Sequence, residues 1–251
     1  MQNSFFCSNS YLNVYELASK NSNISTQLLY GEKFKVIKRN KNFLKIKTDF
    51  DHYVGFIKVG KFKKRLDKTY KVSVLKSKIY SKPKSKFGTK KYLPFSSEIE
   101  ILNKNNNFVM FEKNKWISFN ELETIKKQNK DFTKIFKLFL NCKYKWGGKS
   151  FDGIDCSALL QIFYKFNNKF FPRDTIDQVK IKNGSIKKKK FKKGDIIFWK
   201  GHVGICINRS NFIHAYGPRK KVLKMPTEFT IDLINRTANL KVKKISNIKK
   251  Y

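Results

Sequence analysis

Two residue types in this chain are scarce and reactive: four cysteines (Cys7, Cys142, Cys156, Cys206) and three histidines (His52, His202, His214). Cys156 stands out by its surroundings. The run Gly153-Ile154-Asp155-Cys156-Ser157-Ala158 leads into Leu159, Leu160, Ile162, Phe163 and Phe166, which recur at helical spacing. Asp155 has the chemistry of a helix N-cap, which puts Cys156 in the first turn. Unpaired N–H groups and the helix dipole stabilise a thiolate there, and such placement lowers a thiol pKa from about 8.5 into the range of roughly 3.5–7.5. A thiol nucleophile needs a base. His202, in Gly201-His202-Val203-Gly204-Ile205, and His214, in Phe212-Ile213-His214-Ala215, lie in strand-like runs joined by a turn at Asn208-Arg209-Ser210-Asn211. One imidazole can take the thiol proton and the second can orient the first. This requires both rings on one face of a hairpin. A three-residue loop or a bulge, pairing 206 with 214 and 204 with 216, satisfies that requirement, whereas an unbulged two- or four-residue loop does not. His52, in the hairpin region of the first half, is read as a surface loop residue.

The elements that must hold these groups are partly legible. Asp131 can cap a helix to about Leu140 with Phe132, Ile135, Phe136 and Phe139 on one face, and a Gly-rich turn, Tyr144-Lys145-Trp146-Gly147-Gly148, follows. The first half reads as a repeat at an offset near 65 residues. Val14-Tyr15 matches Ile79-Tyr80, Phe34–Ile37 matches Ile99–Leu102, Asn42–Ile46 matches Asn107–Phe111, and Gly55–Ile57 falls near Lys115–Ile117. Each copy holds four or five short β-branched and aromatic runs between polar turns, the pattern of a small antiparallel barrel.

Composition sets outer bounds. A chain of 251 residues with 40% hydrophobic and 15% aromatic residues can build packed cores, which argues against wholesale disorder. No apolar run approaches the length of a transmembrane helix, and the start lacks the pattern of a secretory signal, so a cytoplasmic location is expected, with export the alternative if the true start lies upstream. The cysteines are scattered without a CxxC pair, which argues against a disulfide scaffold or a zinc–cysteine site. Two histidines without an acidic partner at ligand spacing make a poor zinc site, so neither metal nor cofactor is expected. The net charge of +38 comes from 50 Lys and only 6 Arg. Specific base and phosphate recognition favours Arg, so the excess is read as solvated surface with weak, salt-sensitive polyanion binding rather than specific nucleic-acid binding. The run Lys187–Lys193 is read as a solvated loop.

The series Tyr144-x-Trp146-Gly147-Gly148, Ile154-Asp155-Cys156-Ser157, Pro172-Arg173-Asp174, Lys193-Gly194-Asp195-Ile196-Ile197-Phe198-Trp199, Gly201–Ile205 and Phe212–Ala215 resembles the NlpC-type cell-wall cysteine peptidases. The repeated first half resembles the tandem bacterial SH3-type domains that precede them. The resemblance implies an α+β chain: two SH3-like barrels (1–65 and 66–122), then a papain-like peptidase domain (128–251). It implies hydrolysis of the γ-D-glutamyl–diamino acid bond of peptidoglycan stem peptides, with free murein peptides bearing an N-terminal L-Ala as partners. It carries the nucleophile to Cys156, the base to His202 and the orienting residue to His214. Amine recognition falls on Asp155 and Ser157, and Arg173, Asp174 and Thr175 join the substrate-binding set. The last of these stands where the family usually has Ser, and Ala158 where it usually has Gly. The Cys156 N–H is a candidate oxyanion donor and Tyr144 a second, although Tyr144 and Trp146 read equally well as packing aromatics. Two other readings share these residues: a non-catalytic wall- or polyanion-binding protein, and an amidase or acyltransferase using the same three groups.

Overall fold

The structure is a computed structural model that describes residues 4–181, 184–186 and 190–250. The chain divides into two compact units. One comprises residues 1–129, 147–151 and 165–170, and the other 130–146, 152–164 and 171–251.

In the first unit, six strands form one sheet in the order β1-β4-β5-β6-β2-β3. They are β1 (Ser4–Phe6), β2 (Tyr11–Tyr15), β3 (Ile24–Leu29), β4 (Lys33–Asn40), β5 (Phe43–Thr48) and β6 (Val54–Lys58). The alternation of inward and outward side chains along these strands turns Val14, Leu28, Phe34, Ile46 and Ile57 into one buried cluster. The strands β7 (Tyr70–Val72), β8 (Lys76–Tyr80), β9 (Gly88–Pro94), β10 (Glu98–Ile99), β11 (Asn103–Asn105), β12 (Phe108–Glu112), β13 (Lys115–Ser118) and β14 (Leu122–Thr124) repeat the plan. They make a three-stranded and a five-stranded sheet around Val72, Ile79, Leu93, Ile99, Val109, Phe111 and Ile117. The matched residues of the sequence repeat fall on β2 and β8, on β5 and β12, and on β6 and β13. The counterpart of β4 is broken into β10 and β11.

Residues 147–151 and 165–170 cluster with this unit rather than with the remainder of the expected 128–251 domain, and a buried ion cluster explains why. Lys149 Nζ lies 3.1 and 3.2 Å from the two Glu32 oxygens, and Lys165 Nζ lies 3.4 Å from Glu32 and 3.1 Å from Glu98. The Lys165 side chain is 2% exposed. A buried ammonium needs charge or hydrogen-bond partners to offset its desolvation, so these pairs fix where its chain segment sits. Burial pushes the Glu98 pKa up, but Lys165 and Lys68 outweigh it and hold the carboxyl below 4.5. Burial likewise pulls Lys165 down, and Glu98 with Glu32 more than restores it.

The second unit contains α1 (Phe132–Leu138), β16 (Gly153–Ile154) and the bulk of α2 (Cys156–Phe166), together with α3 (Thr175–Gln178). The two-residue β15 (Lys149–Ser150) belongs to the first unit. Asp131 accepts from Thr133 N, the expected cap, and Phe132 and Phe136 pack on Phe163 of α2. A five-stranded sheet follows in the order β20-β19-β18-β17-β21. Its strands are β17 (Asp195–Trp199), β18 (His202–Cys206), β19 (Asn211–Tyr216), β20 (Lys221–Pro226) and β21 (Lys244–Asn247), with α4 (Thr227–Ala238) between the last two. Trp199, Cys206, Phe212, Tyr216 and Ile245 on one sheet face pack with Ile234 of α4. Of the run Lys187–Lys193, residues 187–189 lie outside the described residues, and Lys192 N donates to Asp195 Oδ2 at 2.7 Å at its end. Among the described residues no helix is long and apolar enough to cross a membrane.

Lys165→Met is expected to cost about 3 kcal/mol at neutral pH, because it strands buried carboxylate charge. A depressed folded-state pKa gives stability that is present above the ordinary carboxylate value and lost as pH falls through the folded one. The gap between variant and parent in urea unfolding therefore narrows well below pH 4.5. A gap that is equal at both pH values would contradict this.

Candidate active site

Asp155 does cap α2. Its Oδ1 accepts from Ala158 N at 2.8 Å, and its carbonyl accepts the first helical bond from Leu159 N at 3.0 Å. The same carboxylate is held by Arg173 in a two-pronged pair, Nη1–Oδ1 at 3.0 Å and Nη2–Oδ2 at 2.6 Å. Ser157 Oγ joins them, donating to Asp155 Oδ1 at 3.1 Å and accepting from Arg173 Nη1 at 2.8 Å. Gln178 Nε2 closes the frame by donating to the carbonyls of Ser157 (3.0 Å) and Pro172 (2.8 Å). Asp155, Ser157 and Arg173, three of the substrate-binding candidates, are thus one buried, charge-balanced cluster at the start of the helix. Asp174 and Thr175 are partly exposed at the start of α3.

This frame sets Cys156 against the tip of the β17–β18 hairpin. Trp199 pairs with His202 across a two-residue turn, Lys200-Gly201, whose glycine takes φ +72. Cys156 Sγ lies 3.9 Å from the Gly201 carbonyl and accepts from the Val203 N–H, so its contacts flank His202 on both sides in the chain.

The β18–β19 hairpin satisfies the one-face requirement with an odd loop, but in another register. Ile207 N bonds to Asn211 O, leaving Asn208–Ser210 as a three-residue loop, and Cys206 pairs with Phe212 rather than with 214. Position 204 therefore faces 214. Asn208 decides this, because its side-chain oxygen accepts from the backbone N–H of both Ser210 (2.9 Å) and Asn211 (2.7 Å), starting the turn one residue earlier. Even-numbered residues still share a face. His202 Nε2 lies 2.9 Å from His214 Nδ1, and His214 Nε2 lies 3.4 Å from Met225 Sδ. The His214 ring stacks on Tyr216 with centroids 4.7 Å apart and planes 16° apart. Gly204 makes room for it: a Cβ there would sit 2.8 Å from His214 Cβ and 2.3 Å from Phe212 Cζ.

The three expected catalytic side chains are thereby placed in one unit, with His202 partly exposed, His214 fully buried and Cys156 5% exposed. Tyr144 lies beside them. Burial raises its phenol, and the nearby Cys156 and Asp155 charges add to this, so it remains an O–H donor. Trp146 is 63% exposed and packs into no core. His52 is an exposed loop residue with φ +58.

The electrostatics correct one expectation. Burial dominates at Cys156 and, with the Asp155 charge, pushes the thiol up to about 12 against the pull of the Val203 N–H and Arg173. Burial lowers His202 to about 4, and burial together with the neighbouring imidazole lowers His214 to about 2. Burial and the Asp155 charge thus oppose the thiolate that helix position favours, and burial opposes a charged imidazole at His202. Such a site can run acyl transfer if His202 takes the proton as the sulfur attacks. Its Nε2 is engaged with His214, which leaves Nδ1 for that proton. Gly204, Met225 and Gln178 went unnoticed in the sequence. Gly204 carries a usable signal, since an even-numbered glycine sits among even-numbered rings, but Met225 comes from a strand whose register no local pattern announces.

Residues 141–235 match the NlpC/P60 family, and residues 14–61 match the bacterial dipeptidyl-peptidase SH3 domain. The chain carries an NlpC/P60 domain preceded by a bacterial SH3-type domain. It is 35% identical over 79 residues to dipeptidyl-peptidase 6 of Lysinibacillus sphaericus, covering 31% of this chain and 28% of that protein. It is 34% identical over 105 residues to a γ-D-glutamyl-L-lysine dipeptidyl-peptidase of Bacillus cereus, covering 38% of this chain and 31% of that protein. These matches thus span less than a third of either curated relative. An NlpC/P60 family protein from Bacillus cereus of known structure shares the fold, with a TM-score of 0.75 at 19% identity over 89% of this chain and 94% of that one.

The protonation states can be checked by alkylation. With a thiol near 12, the rate of Cys156 modification by iodoacetamide is expected to climb continuously from neutral to strongly alkaline pH. A rate already level from acidic pH upward would show a preformed thiolate–imidazolium pair instead.

Proposed function

We propose that this chain is a cysteine peptidase that hydrolyses the γ-D-glutamyl–diamino acid bond of peptidoglycan stem peptides, acting on free murein peptides with an N-terminal L-Ala. The observation that carries the proposal is the alignment of His214 behind His202 at 2.9 Å, with Cys156 at the helix start held against the residues on either side of His202. The name of the Bacillus cereus relative, a γ-D-glutamyl-L-lysine dipeptidyl-peptidase, supports the bond type.

In this reading the Cys156 sulfur attacks the γ-carbonyl carbon while its proton passes to His202. The tetrahedral oxyanion forms opposite the N-terminal end of α2, where the Cys156 N–H and the Tyr144 hydroxyl are the donors. One such donor is worth about 10²–10³ in rate. Collapse breaks the C–N bond, and His202 gives its proton to the leaving amine. Water then attacks the thioester, with His202 taking a proton from it, and the acid leaves as the thiol is restored. Asp155 is already neutralised by Arg173. The L-Ala ammonium is accordingly read by the Asp155–Ser157–Arg173 cluster as a whole, with Asp174 and Thr175 at its edge, rather than by a lone carboxylate.

Incubation with L-Ala-γ-D-Glu-L-Lys, its diaminopimelate counterpart and intact sacculi, with product masses read out, tests the reading. The free tripeptides are expected to give L-Ala-D-Glu plus the diamino acid, and Cys156→Ala to lower turnover roughly 10⁴-fold or more. Undiminished turnover in that variant would end the nucleophile assignment.

Amine recognition has a separate readout. Asp155→Asn loosens the cap and the Arg173 pair for every substrate, but it is expected to raise KM about tenfold more for the free-amine peptide than for the N-acetylated one, since it removes one charge-assisted contact. An equal effect on both peptides would remove Asp155 from amine binding.

A further inference from the structure

His214 is fully buried, and its two ring nitrogens meet only two partners among the described residues: His202 Nε2 at 2.9 Å and Met225 Sδ at 3.4 Å. A thioether accepts a hydrogen bond weakly and has no proton to give. A neutral imidazole carries one N–H. If that proton sat on Nδ1 of His214, its Nε2 lone pair would face the sulfur lone pairs with no water to intervene. If it sits on Nε2, the sulfur accepts it, and Nδ1 is left to accept from His202. His202 must then carry its own proton on Nε2.

We propose that Met225 is a positioning residue: by accepting the Nε2–H of His214 it sets the tautomer of both imidazoles and leaves Nδ1 of His202 bare toward Cys156. The sulfur is placed for this by sheet register. Met225 on β20 pairs with Phe212, and His214 pairs with Leu223, so Met225 and His214 are diagonal neighbours on one face. Burial keeps both rings neutral at physiological pH, so a single proton on each ring decides the outcome. The opposite tautomer would place a proton on the nitrogen that has to receive one. The consequence for turnover rests on the peptidase reading, whereas the tautomers themselves do not.

Long-range ¹H–¹⁵N spectra of the uniformly labelled protein distinguish the two forms. Only three histidines contribute, and exposed His52 can be identified with a His52→Gln variant. Both His202 and His214 are expected as Nε2–H tautomers. Met225→Leu keeps the apolar volume and removes the acceptor. It is expected to shift both rings toward Nδ1–H and to lower kcat for the tripeptide about tenfold with KM unchanged, the scale of one modest hydrogen bond. A wild-type His214 protonated at Nδ1 would overturn the proposal, even if Met225→Leu failed to fold. Unchanged tautomers in Met225→Leu, or shifted tautomers with unchanged kcat, would overturn it too. Correct tautomers in a protein that cleaves no murein peptide would instead count against the peptidase reading alone.

Discussion

Two imidazoles can stand in line on this sheet because the residue facing the second one has no side chain. Position 204 lies directly across from His214, and any Cβ there would collide with the His214 Cβ and the Phe212 ring. With glycine at 204, the His214 ring drops into the sheet face, stacks on Tyr216 and reaches His202 Nε2. Everything chemical in the site follows from that line. It fixes which nitrogen of His202 is engaged and which is left. It also removes His214 from water, so that among the described residues its ring nitrogens meet only the His202 ring and the Met225 sulfur. Close packing of this kind transmits position well, because a buried ring has few alternative rotamers without a void or a clash.

The other half of the site solves a different problem. A helix start that presents a thiol must hold its first turn rigid without leaving charge uncompensated. Asp155 caps the helix, Arg173 neutralises Asp155 through two bonds, Ser157 bridges them, and Gln178 pins the loop that delivers Arg173. Burying this pair costs desolvation, and the geometry offsets it by satisfying the carboxylate from several directions. The result is a thiol in dry, electrically balanced surroundings. Such surroundings favour a neutral resting pair over an ion pair, and they strengthen every dipole aimed at charge that develops during attack.

Much of this could be read from residues alone, and the divide between legible and illegible is physical. The Asp155 and Asp131 caps, the amphipathic run after Cys156 and the repeat of short strands are local patterns, and local patterns survive in sequence. The parity of the β18–β19 hairpin was legible as a requirement but not as a register. The side chain of Asn208 moved the turn by one residue, so 206 pairs with 212 and 204 faces 214. Met225 and the Glu32–Lys149–Lys165–Glu98 cluster were out of reach because they join segments far apart in the chain. In a sequence with 50 lysines, nothing marks Lys149 and Lys165 as buried. The helix position that favours a thiolate at Cys156 is local, whereas the desolvation that opposes it is a property of the folded surroundings.

The central claim is that Cys156, backed by His202 and His214, is the group that attacks a γ-glutamyl carbonyl. The most direct measurement is peptide mapping after treatment with an L-Ala-γ-D-Glu analogue that carries a chloromethyl ketone in place of the scissile amide. The account requires a single adduct, on the peptide containing Cys156, that free tripeptide competes away and His202→Ala abolishes. An adduct on Cys7, Cys142 or Cys206, or labelling of Cys156 that is indifferent to both the tripeptide and His202, would contradict it.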